Sequence, residues 1–156
     1  MSTPTLSYAA RLRLYIASPL FSEAERTFNR RLKSLLAPHC DLYMPQEDGG
    51  LLSEMIARGA SPIDAAQSIF TWDLRAIDGC DAILIVLDGR AVDEGAAFEL
   101  GYAYASGKLC FGLQTDPRRL LPSGNNPMIN QALAHIFPNL EELQRWAERG
   151  TLVPAS

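Results

Sequence analysis

Hydrophobic residues in this chain form two alternating patterns: short unbroken apolar segments, and longer segments with apolar residues every three to four positions. The clearest short segment, 81–88, reads DAILIVLD, and such a continuous run is typical of a parallel strand covered on both faces. The short segments predict five strands, at Leu12–Ala17, 41–44, 81–88, 108–114 and His135–Phe137.

The longer segments predict amphipathic helices with recognisable capping residues. Ser22 is followed three residues later by Glu25, which is the spacing of a capping box. A second helix is predicted over 62–78, because Ser61 precedes Pro62 in the order favoured at a helix start. Further helices are predicted at 93–106, 127–134 and 139–149, with a helical turn within 51–58.

Strands that alternate with helices imply right-handed crossovers and a parallel sheet. We therefore predict a single-domain, flavodoxin-like α/β fold over residues 1–156, with a polar tail at 1–10. Its doubly wound sheet has five parallel strands and helices on both faces. A chain of 156 residues is long enough to bury a substantial core. Ligands bind at the carboxyl ends of the strands in such sheets.

The bulk composition excludes several classes of protein. The formal charge of -4 and the pI near 5.1 argue against a nucleic-acid polymer as partner, and favour a small molecule. Three cysteines without a CxxC spacing predict reduced core residues and a cytoplasmic location. No signal peptide is evident in 1–8, and the longest strongly apolar run, 82–87, is too short to cross a membrane.

One carboxylate, Glu99, is set among small residues of the predicted helix 93–106. Its side chain is expected to lean over Gly95 and Ala96, which leave a hollow for a ligand. If the helix begins at Asp93, its dipole favours the ionised carboxylate, which is the state required of a nucleophile. The alternative is an ordinary helical glutamate at the protein surface.

A second carboxylate, Asp73, lies at the edge of the apolar stripe predicted for helix 62–78. The members of this stripe are Ile63, Ala66, Phe70, Leu74 and Ile77. Partial desolvation raises the pKa of such a carboxyl and makes it a candidate general acid, whereas the alternative is a surface ion pair with Arg75 or Lys33. Two acids in different environments match retaining glycosyl transfer, in which one attacks the anomeric carbon and the other protonates the leaving group.

Other kinds of site are not supported by the sequence. The first strand is followed by ASPL at 17–20 rather than GxGxxG, which argues against dinucleotide binding. Segment 101–108 has the wrong spacing for a phosphate loop, and the first strand lacks the acidic pair of a receiver domain. His39 and His135 are isolated, so we do not expect them to bind a metal.

With these residues in place, the chain resembles the nucleoside 2-deoxyribosyltransferase family over roughly 14–137. The landmarks are Tyr15 at the end of strand one, Asp73 in WDLxxIDxCD, DxGxxxExGxA over 93–103, and NPM over 126–128. The ordered set with these spacings is specific, whereas any single member is weak.

The resemblance implies a double displacement without a cofactor. Glu99 would attack C1' of a 2'-deoxyribonucleoside, and Asp73 would protonate the departing base and deprotonate the incoming one. Tyr15 would orient Glu99 by a hydrogen bond, or else be a core aromatic. Asp93 would bind sugar hydroxyls as well as cap its helix. Asn126 would reach the sugar from a neighbouring subunit, which implies a homo-oligomer, although this asparagine also suits an ordinary turn.

The resemblance extends less firmly to a set of residues that would contact the substrate or shape the base pocket. They are Ser18, Pro19, Phe21, Trp72 and Gly95. Segment 46–60 is expected to cover the base. The chain also departs from the family pattern: Ala96 stands where many relatives carry Thr, which removes a hydroxyl contact, and 153–156 is not an aromatic terminus.

Three functions remain open on the sequence. The first is base exchange between 2'-deoxynucleosides. The second is hydrolysis of 2'-deoxynucleoside 5'-monophosphates on the same scaffold, which is disfavoured because the first loop is not rich in Gly and Ser. The third is a non-catalytic sensor of nucleosides or nucleotides, against which the presence of both acids and Tyr15 argues.

Overall fold

A five-stranded parallel sheet forms the centre of the protein. The computed structural model describes residues 11–118, 121–122 and 124–150. The strands are β1 (Leu12–Ala17), β2 (Cys40–Tyr43), β3 (Ala82–Val86), β4 (Leu109–Leu113) and β5 (His135–Phe137). Their order is β2-β1-β3-β4-β5, which confirms the predicted flavodoxin-like, doubly wound topology. The predicted tail at 1–10 and the end of the chain at 153–156 lie outside the described residues.

Seven helices occur in the described part of the chain. They are α1 (Glu23–Leu36), α2 (Pro45–Asp48), α3 (Leu52–Ala57), α4 (Pro62–Gly79), α5 (Glu94–Ala105), α6 (Pro127–Ala132) and α7 (Leu140–Arg149). The predicted capping box is present, because Ser22 and Glu25 each accept a hydrogen bond from the other's backbone amide. Gly150 ends α7 in the left-handed conformation, with φ of 61°. Helix α2 was not predicted, since four residues are too few to show a helical period.

The sheet separates two hydrophobic cores. Successive side chains of a strand point to opposite faces, so Leu14 and Ile16 pack with residues of α1 and α7, while Tyr15 and Ala17 pack with residues of α4 and α5. All five residues of β3 are buried, as expected for a central strand covered on both sides. The carboxylates predicted to react lie on α4 and α5, and therefore on the second of these faces.

The apolar stripe predicted for α4 is only partly covered. Ile77 is buried, but Ile63 and Phe70 are 78% and 53% exposed. The ring of Phe70 contacts Phe98 of α5, with centroids 5.9 Å apart. Only part of α4 faces the sheet, because this helix packs on α3 and α5 as well as on β1.

The structure also bears on the cysteines and on membrane-spanning helices. Cys40, Cys80 and Cys110 are free thiols buried in the core, as predicted. No helix of the described ranges is both long and apolar enough to cross a bilayer.

Candidate active site

Glu99 is linked to the central sheet by a hydrogen bond. The hydroxyl of Tyr15 on β1 donates to Oε1 of Glu99 on α5 at 2.8 Å. Tyr15 is completely buried in the core beneath α5, so surrounding side chains fix its ring. The hydrogen bond that the family resemblance implied is therefore present, and it holds the Glu99 carboxyl in one orientation.

The carboxyl of Glu99 does not have the low pKa expected from the helix dipole. Burial raises its pKa to about 8; the hydrogen bond from Tyr15 acts in the opposite sense, and the charges of Asp73 and Asp93 raise it further. Glu99 is the sixth residue of α5, and the dipole acts mainly within the first turn. Burial therefore has a larger effect on the pKa of Glu99 than any stabilisation of its charged form by the start of α5.

Asp73 on α4 is the second acid of the site and is partly buried. Burial raises its pKa to about 6, the direction expected from the sequence, and the hydrogen bond from Tyr43 lowers it. The Tyr43 hydroxyl lies 3.5 Å from Asp73 Oδ1. Lys33, one of the two ion-pair partners considered for Asp73, is paired with Glu47 instead.

Tyr43 is a residue near the site that the sequence reasoning missed. It is the last residue of β2 and lies in register with Tyr15 of β1. The two rings stack with centroids 5.4 Å apart and planes inclined by 14°. A signal was available in the sequence, because both predicted strands carry a tyrosine close to the carboxyl end, where ligands bind.

A cavity of about 510 Å³ lies at this end of the sheet and is lined by both Glu99 and Asp73. Asp93 and Gly95, at the start of α5, also line it. Asp93 Oδ1 accepts the backbone amide of Ala96 at 2.9 Å, so this residue caps α5 as predicted while facing the cavity.

The other walls of the cavity come from the β1–α1 loop, from segment 45–53 and from α4. Ser18 and Phe21 are the lining residues of the loop that the sequence analysis had named. The apolar lining residues besides Phe21 are Leu20, Pro45, Leu51, Leu52 and Ile69. Arg26 is the one cationic side chain among the described lining residues, and its guanidinium donates to the carbonyl of Phe21 at 2.6 Å.

Four predicted site residues do not line this cavity, and one of them, Tyr15, lies buried beneath Glu99. Pro19 lies in the β1–α1 loop, where its carbonyl accepts a hydrogen bond from Asn29 at 2.9 Å. Trp72 lines an adjacent cleft and is 44% exposed, because neighbouring residues of a helix point about 100° apart. Asn126 caps α6 and lines a separate cavity of about 240 Å³.

Two glycines allow the segment after β2 to lie directly against α4. A Cβ atom at Gly49 would be 2.9 Å from the Pro45 carbonyl oxygen and 3.3 Å from Asp73 Oδ1. A Cβ atom at Gly50 would be 2.9 Å from Met55 Sδ and 3.0 Å from the Trp72 ring. Neither position has room for a side chain. The two glycines therefore allow segment 46–60, which is predicted to cover the base, to approach Asp73.

The site combines two acids whose pKa values differ. With a pKa of about 6 for Asp73 and about 8 for Glu99, the two acids together hold one proton between these pH values, and the higher pKa places it mostly on Glu99. One ionised carboxylate and one carboxylic acid are the groups required for retaining glycosyl transfer. In the described ranges, no three His, Cys, Asp or Glu side chains come together as a possible metal site.

The fold and this cavity together define an α/β protein with a pair of partly buried acids at the carboxyl ends of its strands. The chain belongs to the nucleoside 2-deoxyribosyltransferase family, whose family model matches residues 14–146. It is accordingly related to glycosyl-transferring enzymes that act on nucleosides. A search of curated protein sequences gives no match.

Solved structures share the fold at low sequence identity. A 2-deoxyribosyltransferase from Bacillus psychrosaccharolyticus is 21% identical, with a TM-score of 0.73 over 92% of this chain and 99% of that one. A conserved protein from Enterococcus faecalis is 23% identical, with a TM-score of 0.72 over 91% and 100%. A CMP N-glycosidase from Clostridium botulinum is 17% identical, with a TM-score of 0.55 over 89% and 99%.

Proposed function

We propose that this protein exchanges the nucleobase of 2'-deoxyribonucleosides by double displacement, with Glu99 as nucleophile and Asp73 as general acid and base. The observation that carries the proposal is the placement of both acids on one cavity, with the Glu99 carboxyl oriented by Tyr15. The match of the family model to most of the chain supports the same chemistry. Such an exchange would serve the salvage of nucleobases.

In the first half-reaction, an oxygen of Glu99 attacks C1' of the deoxyribose, and the bond from C1' to the base nitrogen breaks. The electron pair of that bond leaves with the base, and Asp73 supplies the proton that neutralises it. In the second half-reaction a new base gives a proton to Asp73 and attacks C1', which releases Glu99. The reaction needs no oxidant, metal or organic cofactor.

The single proton shared by the two acids must be on Asp73 when Glu99 attacks. The hydrogen bond from Tyr15 favours this arrangement, because a hydroxyl that donates to a carboxylate stabilises its charged form. A bound nucleoside would also replace water between the acids, so the position of the proton would depend on the base that Asp73 faces.

The two ends of the cavity suit the two parts of a nucleoside. Asp93 lies next to the nucleophile at the start of α5 and can accept hydrogen bonds from sugar hydroxyls. The apolar residues on the other walls, Leu51, Leu52 and Ile69 among them, can cover the faces of a base. Ser18, Phe21 and Gly95 complete the proposed substrate site. Pro19 and Trp72 do not line the cavity, and we propose that they influence the substrate only by positioning neighbouring residues.

A second candidate function is cleavage of 2'-deoxynucleoside 5'-monophosphates with water as acceptor. It is favoured by the presence of Arg26, a cationic side chain that would attract a phosphate, on the wall of the cavity. The CMP N-glycosidase of similar fold also acts on a nucleotide. Arg26 already donates to the Leu20 and Phe21 carbonyls at 3.3 and 2.6 Å, which places this function second.

Incubation with two kinds of substrate separates these functions. The protein is mixed with deoxyinosine and free adenine, or with a deoxynucleoside 5'-monophosphate, and the products are resolved by chromatography. Deoxyadenosine indicates a transferase, free sugar or sugar phosphate indicates a hydrolase, and absence of both contradicts catalysis and leaves a sensor. The Glu99→Ala variant should give no product, and product at the wild-type rate would contradict the role of Glu99.

We further propose that the protein assembles into a homo-oligomer, in which Asn126 contributes to the site of a neighbouring copy. Asn126 lies outside the cavity of its own chain, at the start of α6. Exposed hydrophobic residues on α4, α5 and α6 supply an apolar surface for such an assembly. They include Ile63, Phe70, Phe98 and Met128. Light scattering of the wild type and of Phe98→Asp tests the assembly, and a monomeric wild type would contradict it.

A further inference from the structure

Two stacked tyrosines face the two acids of the site, one tyrosine for each acid. Tyr15 and Tyr43 are register partners on β1 and β2, and their rings are 5.4 Å apart between centroids. The Tyr15 hydroxyl donates to Glu99 at 2.8 Å, and the Tyr43 hydroxyl lies 3.5 Å from Asp73 Oδ1. The first contact belongs to the site already described, but the second has no role in it.

We propose that Tyr43 is a positioning residue, which holds Oδ1 of Asp73 so that the other carboxyl oxygen, Oδ2, exchanges the proton with the base. This inference rests on the proposed function. Tyr43 does not line the cavity of the two acids, so it would act through Asp73 and not on the substrate. Stacking on the buried Tyr15 restricts the direction in which the Tyr43 hydroxyl can point.

The surroundings of Asp73 Oδ1 support this assignment. The backbone of Gly49 packs so close to this oxygen that a Cβ atom there would be 3.3 Å away. Oδ1 therefore has the Tyr43 hydroxyl and the backbone of Gly49 as close neighbours. Burial, with the charges of Asp73 and Asp48 adding to it, raises the pKa of Tyr43 to about 12, so its hydroxyl keeps the proton that it donates.

Several other ionisable groups lie near this contact, and a substitution at position 43 leaves each of them in the chain. Glu99 of α5 and Tyr15 of β1 interact electrostatically with one another and with Asp73. Asp48 of α2 and Arg75 of α4 line the cleft on the outer side of Tyr43. An effect of Tyr43→Phe on Asp73 therefore reports the loss of one hydroxyl, since the phenyl ring can still stack on Tyr15.

The first measurement follows the titration of Asp73 itself. Its carboxyl carbon is observed by ¹³C NMR and assigned by the signal that disappears in Asp73→Asn. Removing the donor should raise the midpoint of the Asp73 titration by about 0.5 pH unit in Tyr43→Phe, the lower end of what one hydrogen bond contributes. Tyr102→Phe is the matched control, because the Tyr102 hydroxyl donates to Asp78 at 2.9 Å on the surface. It should leave Asp73 unchanged.

The second measurement is base exchange by the same variants. Tyr43→Phe should lower kcat by about 3–10-fold with KM within about twofold of wild type, because a misplaced acid affects proton transfer more than binding. An unchanged Asp73 midpoint, or a shifted midpoint with wild-type kcat, would overturn the positioning role while exchange by the wild type upholds the proposed function. A wild type that neither exchanges nor cleaves any deoxynucleoside would overturn both.

Discussion

The hydroxyl of Tyr15 and the carboxyl of Glu99 are joined by a 2.8 Å hydrogen bond across 84 positions of the sequence. This bond connects the centre of the sheet to the helix that carries the proposed nucleophile. It also stabilises the charged form of an acid that burial otherwise keeps protonated. In the proposed mechanism, the reactivity of Glu99 therefore depends on Tyr15, a residue that does not line the cavity.

Tyr15→Phe is expected to lower kcat for base exchange about tenfold or more, equivalent to ~1–2 kcal/mol of transition-state stabilisation. The ring is retained, but the pKa of Glu99 rises because the hydrogen bond that lowers it is lost. The basic limb of the pH–rate profile, which lies near the Glu99 pKa of about 8, should accordingly move to higher pH. Steady-state kinetics from pH 5 to 9 provide the measurement. Tyr102→Phe serves as the control, and an unshifted profile in Tyr15→Phe would contradict the interpretation.

The wild-type enzyme should show a bell-shaped dependence of kcat/KM on pH, with apparent pKa values near 6 and 8 that belong to the pair of acids. Below about pH 6 both Asp73 and Glu99 are protonated, so the nucleophile is lost. Above about pH 8 both are ionised, so the departing base receives no proton. A nucleoside whose base is a good leaving group needs less protonation by an acid. The pH profile measured with such a substrate should lack the decline at high pH. A rate independent of pH between 5 and 9 would be incompatible with this pair.

Glu99→Gln should be inactive yet more stable than the wild type at high pH. The pKa of Glu99 is raised from 4.5 to about 8 in the folded protein, so folded chains keep a proton that unfolded chains have lost. Wild-type stability therefore falls as pH rises from about 4.5 to 8, whereas the neutral amide has no such loss. We expect a gain of about 1–2 kcal/mol at pH 9 and little difference at pH 5.

Thermal unfolding at pH 5, 7 and 9 measures this difference. The control is Glu94→Gln, which removes an exposed carboxylate from the first turn of the same helix. That variant should not gain stability at high pH. If Glu99→Gln is destabilised equally at all three pH values, the burial of charge at position 99 is not the controlling factor.

Gly49→Ala should raise KM for the nucleoside by about 3–10-fold. The added methyl group would meet the Pro45 carbonyl oxygen at 2.9 Å, and main-chain atoms cannot move aside without displacing the segment that covers the cavity. Gly79→Ala is the matched control, since nothing lies within 4 Å of a Cβ atom there. KM is obtained from initial rates over a range of nucleoside concentrations. Equal KM values for the two variants would show that nucleoside binding does not require close packing at position 49.

The elements of the fold could be predicted well because their signals are local. The capping box at Ser22 and Glu25 is contained in four residues, and the strands are marked by apolar runs of their own. Helix α2 lacked such a signal, and the exposure of Phe70 depends on how α3, α4 and α5 share their surfaces. Packing between distant elements is not recorded in the spacing of residues within one helix.

The site could be predicted as a set of residues but not as an electrostatic environment. Glu99 and Asp73 were named from their neighbours in sequence, and both line the same cavity. The raised pKa of Glu99 arises from the tertiary structure that removes it from water, which the local helix pattern does not contain. The contact of Tyr43 with Asp73 likewise joins residues 30 positions apart.

A single sheet divides the interior into two cores, so residues that stabilise the protein can be changed on one face without altering the proposed active site on the other. Phe111, Phe137 and Trp146 form an aromatic group on the face remote from Glu99. The indole nitrogen of Trp146 is buried there without a hydrogen-bond partner among the described residues. A library that redesigns this aromatic layer, beginning with Phe at position 146, can search for heat-tolerant biocatalysts while the reacting groups on the opposite side keep their native neighbours.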